Sequence, residues 1–220
     1  MIGRALISLA ALGSVLWPAV LQAQSGLSVN PTDAMRSAYS DRDTVEVIRH
    51  SVGCVVNRAR GSAQLLLRTL PDTNDEHRLI YGPISARLDQ CSWMGVEISN
   101  VLLRGAIAEI LYKAAFSSPP PAESAARVPP LRWPDRHSTA ATLAPIYELG
   151  RCVVADGPHQ VHQLVATEPY SDAESAALRQ LRPLLGPCLP EGMTFSTNPQ
   201  TLRAVFAEAL YHWALAQPRR

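Results

Sequence analysis

Two stretches of this sequence carry the same set of chemically capable residues. Arg104, Glu109 and Tyr112 lie in "LLRGAIAEILY", and Arg203, Glu208 and Tyr211 lie in "TLRAVFAEALY". On a helix, residues three apart share a face, so Glu109 with Tyr112 and Glu208 with Tyr211 are local neighbours. An Arg five residues before a Glu is off that face and is a poor local partner. If Glu109 and Glu208 meet over one cleft, and burial raises the pKa of one of them, the pair has the composition of an acid–base hydrolase. The plainer alternative has each Glu accept hydrogen bonds from Tyr, Arg or backbone in a half-buried position. Residues present in both stretches read first as determinants of the fold, so none is assigned a catalytic role.

Other chemistry finds less support. His159 and His162 stand three apart at a helix start in "DGPHQVHQL" and have the spacing to share a metal, but a third ligand and the zincin glutamate are missing nearby. Gly-x-Ser-x-Gly elbows and glycine-rich phosphate loops are absent. Trp93 with Met94, and Met193 with Phe195, sit just after a cysteine, where packing explains them as well as ligand binding does. No cofactor is expected.

The shared triplet is part of a longer match. Cys54-Val55-Val56 corresponds to Cys152-Val153-Val154 at a shift of 98, and Thr69 and Pro71 correspond to Thr167 and Pro169 at the same shift. Cys91 corresponds to Cys188 at 97, and the Arg–Glu–Tyr stretches correspond at 99. Three blocks in one order point to an internal duplication, with the changes of shift absorbed in loops. Duplication also selects a cysteine pairing. Cys54–Cys91 and Cys152–Cys188 give each unit its own bridge, and loops of that size contribute roughly 3–4 kcal/mol in the chain-entropy model. Between the units, residues 117–138 are proline-rich and read as a linker in which Trp133 settles into a groove.

The elements that must position these residues read as helices. Ser40 is expected to cap a first helix carrying Val45, Ile48 and Val52, with Leu143, Ile146 and Leu149 as counterparts. A short second helix carries Ala63, Leu66 and Leu67, or Val161, Leu164 and Val165. Ser171 and Glu174 form a capping box for the third, which Asn74 with Asp75 and Glu76 replaces in the first unit, where Pro83 must kink or divide it. Ser99 or Asn198 caps the fourth. The expected architecture is all-α: two tandem disulfide-stapled helical repeats of about four helices each, at 40–116 and 139–220.

Composition supplies the setting. Residues 1–23 have the layout of a secretory signal peptide: Arg4, an uncharged apolar run to Trp17, then small or polar residues to Ala23. A short segment, 24–39, precedes the first unit. Removing 1–23 takes one base from the 20 and none of the 19 acids, so the mature chain is electrically balanced. Balance argues against nucleic acid as a partner, and no membrane span is expected after cleavage. The expectation is a periplasmic or secreted, non-catalytic binding or protein-interaction module, with another envelope protein as its partner. An envelope-polymer hydrolase using Glu109 and Glu208, or a metal-binding protein using His159 and His162, is the alternative.

Overall fold

The computed structural model describes residues 41–91, 98–120, 131–133, 138–189 and 197–218. The expected signal peptide, the 24–39 segment, the Ser40 cap, the loops holding Trp93, Met94, Met193 and Phe195, and most of the linker lie outside them. All regular structure among the described residues is helical: α1 (Asp41–Arg58), α2 (Arg60–Leu66), α3 (Asn74–Leu79), α4 (Ser85–Cys91), α5 (Asn100–Ala115), α6 (Thr139–Asp156), α7 (Pro158–Ala166), α8 (Asp172–Cys188) and α9 (Pro199–Ala216). A disulfide joins Cys54 on α1 to Cys91 on α4, and a second joins Cys152 on α6 to Cys188 on α8.

Local chemistry accounts for the boundaries. Ser99, Ser138 and Asn198 accept from the amides of Leu102, Ala141 and Thr201 and start α5, α6 and α9, and Pro199 follows its cap where its missing N–H costs nothing. Thr73, rather than the expected Asn74, caps α3 by accepting from the Glu76 amide, and Ser171 does the same for Glu174 on α8. The two carboxylates reach back one residue beyond a standard capping box, to the amides of Asp72 and Tyr170, both at 2.7 Å. Those two residues have φ of 56° and 57°, so the carboxylate bonds help hold backbone in the left-handed region. Between α3 and α4 the chain passes through a wide turn, Ile80–Ile84, where Gly82 leaves helical geometry just before Pro83. The matching α8 runs through unbroken.

At the centre α5 packs along α9, with α1 against α5 and with α6 and α7 against α9. Because α9 is covered on several sides, its residues from Thr201 to Tyr211 are buried almost without interruption, Leu202 being the exception. Val52, Val55, Leu66 and Ile107 from the first half, with Val153, Leu164 and Leu210 from the second, contribute to one continuous core. The backbones of α5 and α9 meet at Gly105. A Cβ built there would lie 2.2 Å from the Ala204 Cβ and 2.3 Å from its Cα.

Gly105→Ala should therefore force the central helices apart and lower stability by about 1–3 kcal/mol or more. Gly53→Ala, on α1 with nothing within 4 Å of the new methyl, should raise it by up to about 1 kcal/mol. Urea midpoints of the oxidised proteins test the pair. Equal effects at the two sites would contradict this account of the helix contact.

Candidate functional site

Where α5 crosses α9, each helix hands an arginine to the other half of the chain. Arg104 is 1% exposed. Its guanidinium donates to the Leu66 carbonyl at 3.0 Å, the Thr69 carbonyl at 3.0 Å and hydroxyl at 3.2 Å, and Glu76 Oε1 at 3.1 Å. It also makes a two-pronged pair with Glu208 on α9, through Nε at 3.1 Å and a second, shorter contact through Nη2. Arg203 donates to the Leu164 and Val165 carbonyls at 3.0 Å each, to the Thr167 carbonyl at 2.7 Å and to its hydroxyl at 3.1 Å. It then pairs with Glu174 at 3.0 Å and grips Glu109 on α5 at 2.9 and 3.0 Å. The Leu66 and Leu164 carbonyls, at the ends of α2 and α7, also accept from the amide and hydroxyl of Thr69 and Thr167, so each arginine adds a charged donor to a helix end already tied off by a threonine.

The carboxylates at this crossing are held as anions. Burial would raise the pKa of Glu208, but Arg104 and His212 outweigh it and bring the value down to about 2. Glu109 is lowered in the same manner, burial being overcome by Arg203 and Lys113. Lys113 Nζ donates to Glu109 at 2.8 Å. A carboxyl group with raised pKa, needed for a general acid, is not found at either position.

Two cavities flank the crossing. One, of about 50 Å³, is bordered by Val45, Ile48, Arg49, Glu109, Pro169 and Arg203. Arg49 spans it, lying 3.3 Å from Glu109 and 3.1 Å from Glu168. The other, of about 420 Å³, is bordered by Leu67, Pro71, Tyr147, Glu208, His212 and Leu215, among others. Residue 147, at the shift of 98 from Arg49, is a tyrosine and makes no such span. Trp133 from the linker packs against Tyr147, with ring centroids 5.9 Å apart, and its indole N–H donates to Glu148 at 3.1 Å. The buried Tyr147 hydroxyl makes no hydrogen bond of good geometry among the described residues, although the Arg104 guanidinium lies close enough to act on it, and it stands in the field of Glu208 and Glu76. Burial, above all, raises its pKa and keeps it neutral.

The residues singled out by pattern are thus distributed as follows. Glu109 and Glu208 line different cavities, each engaged by the arginine of the opposite half. Tyr112 leaves Glu109 and bonds instead to His162 Nδ1 at 2.9 Å. Burial raises Tyr112 to about 12, and burial with His159 and Lys113 lowers His162. Tyr211 is buried with its ring 5.7 Å from that of His212. His159 is exposed. Among the described residues, the one set of three metal-type ligand atoms close together is Cys152, Asp156 and Cys188, and its two sulfurs are already bonded to each other. Tyr147 and Arg49 belong to the site but carried no chemical signal of their own, and Glu76 and Glu174 signalled only helix capping. The 98-residue correspondence of Glu76 with Glu174 was the available clue.

With its folded pKa near 2 against an ordinary 4.5, Glu208 stabilises the fold above pH 4.5, and that contribution fades as pH falls towards 2. Urea titrations across this range should show a loss on the order of 3 kcal/mol from this group, with Glu109 adding in the same direction. Glu208→Gln should be less stable at neutral pH and flatter in acid. A variant as acid-sensitive as the parent would contradict the assignment.

No protein-family model matches the chain, and neither a curated protein nor a solved structure is found to match it.

Proposed function

We propose that this chain is an exported, non-catalytic binding protein made of two tandem disulfide-stapled helical repeats, 40–116 and 139–220, that holds a ligand where they meet. The observation that carries the reading is the inequality of the two cavities beside one matched ion-pair crossing. Arg49 borders the smaller, paired with Glu109, whereas the position matching it at the larger is Tyr147, beside about 420 Å³ of space within the usual size range for small-molecule sites. The buried Tyr147 hydroxyl, beside Arg104, adds a polar group to that wall for a bound molecule or water to engage. The tandem organisation is supported by the matched partner sets of Arg104 and Arg203, from helix-end carbonyls to opposite glutamate. Export to the periplasm or medium, after removal of 1–23, is supported by the leader pattern and by two disulfides. No helix among the described residues is long and apolar enough to cross a membrane.

A binding role fits the electrostatics better than hydrolysis does. Glu109 and Glu208 occupy separate cavities, and both are held ionised by arginine, so they do not make the acid-and-base pair that the hydrolase reading requires.

Native mass spectrometry of the exported protein tests the proposal. The expected species is a chain beginning at Gln24 with both bridges intact and a bound molecule that denaturation releases. Ala216→Trp, an exposed position at the larger cavity, should lose that molecule. Turnover of an envelope polymer that disappears in Glu208→Gln but survives in Ala216→Trp would overturn the proposal.

A further inference from the structure

We infer that the larger cavity takes a single-chain amphipathic carboxylate, its apolar chain inward and its anionic head at the mouth; this rests on the binding-protein reading. The lining separates by depth. At the inner end, Arg104 is 1% exposed, Tyr147 4% and Glu208 4%. That end holds one guanidinium against two carboxylates, Glu208 and Glu76, at contact distances. An additional anion placed there meets a surplus of negative charge in a poorly screened region, where Coulomb terms are large. The outer part is different. Arg68 is exposed, the His212 side chain is 30% exposed, and the Arg151 side chain, 14% exposed, also borders the cavity. Arg151 shares its charge with Glu148 at 3.6 Å and His212 lies 3.8 Å from Glu208, which leaves the exposed Arg68 as the chief cation of this basic rim. An anionic head group belongs there.

Much of the remaining wall is apolar: Leu67, Leu70, Pro71, Leu131, Ala209 and Leu215. Leu215 leaves 42% of its surface exposed at the cavity. Covering such surface with methylene groups is favourable at about 0.8 kcal/mol for each buried CH₂. The space is of the size that holds one small ligand, and this is what selects a single chain. The head then adds selectivity of sign more than affinity, since Arg68 at the mouth is solvated.

Isothermal titration of the mature, oxidised chain with decanoate, decanol and decyltrimethylammonium as probes tests both the space and the sign. Decanoate should bind at one equivalent, more tightly than the alcohol, and the cation should bind weakest. Added salt should weaken decanoate alone. Arg68→Glu should weaken decanoate on the order of fivefold and leave decanol unchanged. Ala216→Trp should weaken both, with circular dichroism confirming that these surface variants remain folded. Binding of decyltrimethylammonium as tight as that of decanoate, or indifference of decanoate to Arg68→Glu, overturns the anionic assignment. If in that case Ala216→Trp still abolishes binding, the cavity remains a binding site for another ligand class. Failure of all three probes to bind overturns the inference itself, whereas the binding-protein reading stands or falls with the natively bound molecule.

Discussion

Everything in this molecule is arranged around two guanidinium groups that cannot be satisfied by their own halves alone. Arg104 and Arg203 are buried cations, and a buried cation without an adjacent anion is among the most costly arrangements a fold can contain. Each finds one carboxylate within its own half, Glu76 or Glu174, and a second across the α5–α9 contact, Glu208 or Glu109. The same groups donate to helix-end carbonyls and, through Glu76 and Glu174, fix the left-handed turns before α3 and α8. Such networks are not cheap relative to an apolar contact of equal volume. Their effect is specificity, because a shifted register between α5 and α9 would leave four charges unmatched.

Against that matched centre the periphery differs between the halves. α8 is continuous where α3 and α4 are separated by the Gly82–Pro83 turn. Arg49 lies over Glu109, whereas Tyr147 and the linker's Trp133 occupy the corresponding region of the other half. Substitutions of this kind leave the ion-pair crossing intact and alter only what surrounds it. A cavity can open there at small cost to the core, because the apolar residues beneath it, Leu67 and Leu210 among them, keep their own packing.

Much of the helical architecture was legible because its signals are local. Ser99, Asn198 and Ser171 announce helix starts by capping chemistry, and Pro83 announces an interruption. The site was less legible for the opposite reason. Arg104 and Glu109, five apart, look mismatched on one helix, since nothing in a single stretch says that the partner lies 104 residues away in Glu208. Thr73 displaced Asn74 as the cap because a threonine side chain one residue earlier already accepts the Glu76 amide, a choice that adjacent polar residues do not reveal by type. Tyr147 carried no pattern at all. Its interest lies in its place beside the larger cavity and the Arg104–Glu208 pair, and only coordinates can display that.

The crossed wiring has a consequence for assembly. Neither half is electrically complete alone, so a severed half would expose an arginine and a glutamate in want of partners, together with the apolar faces of its central helix. Two separate polypeptides would have to find one another by mass action to close the circuit. Joining both halves in one chain makes that search intramolecular, replacing dependence on protein concentration with an effective concentration set by the connection between them. Held in one chain, the two halves keep each other's arginines supplied at any dilution.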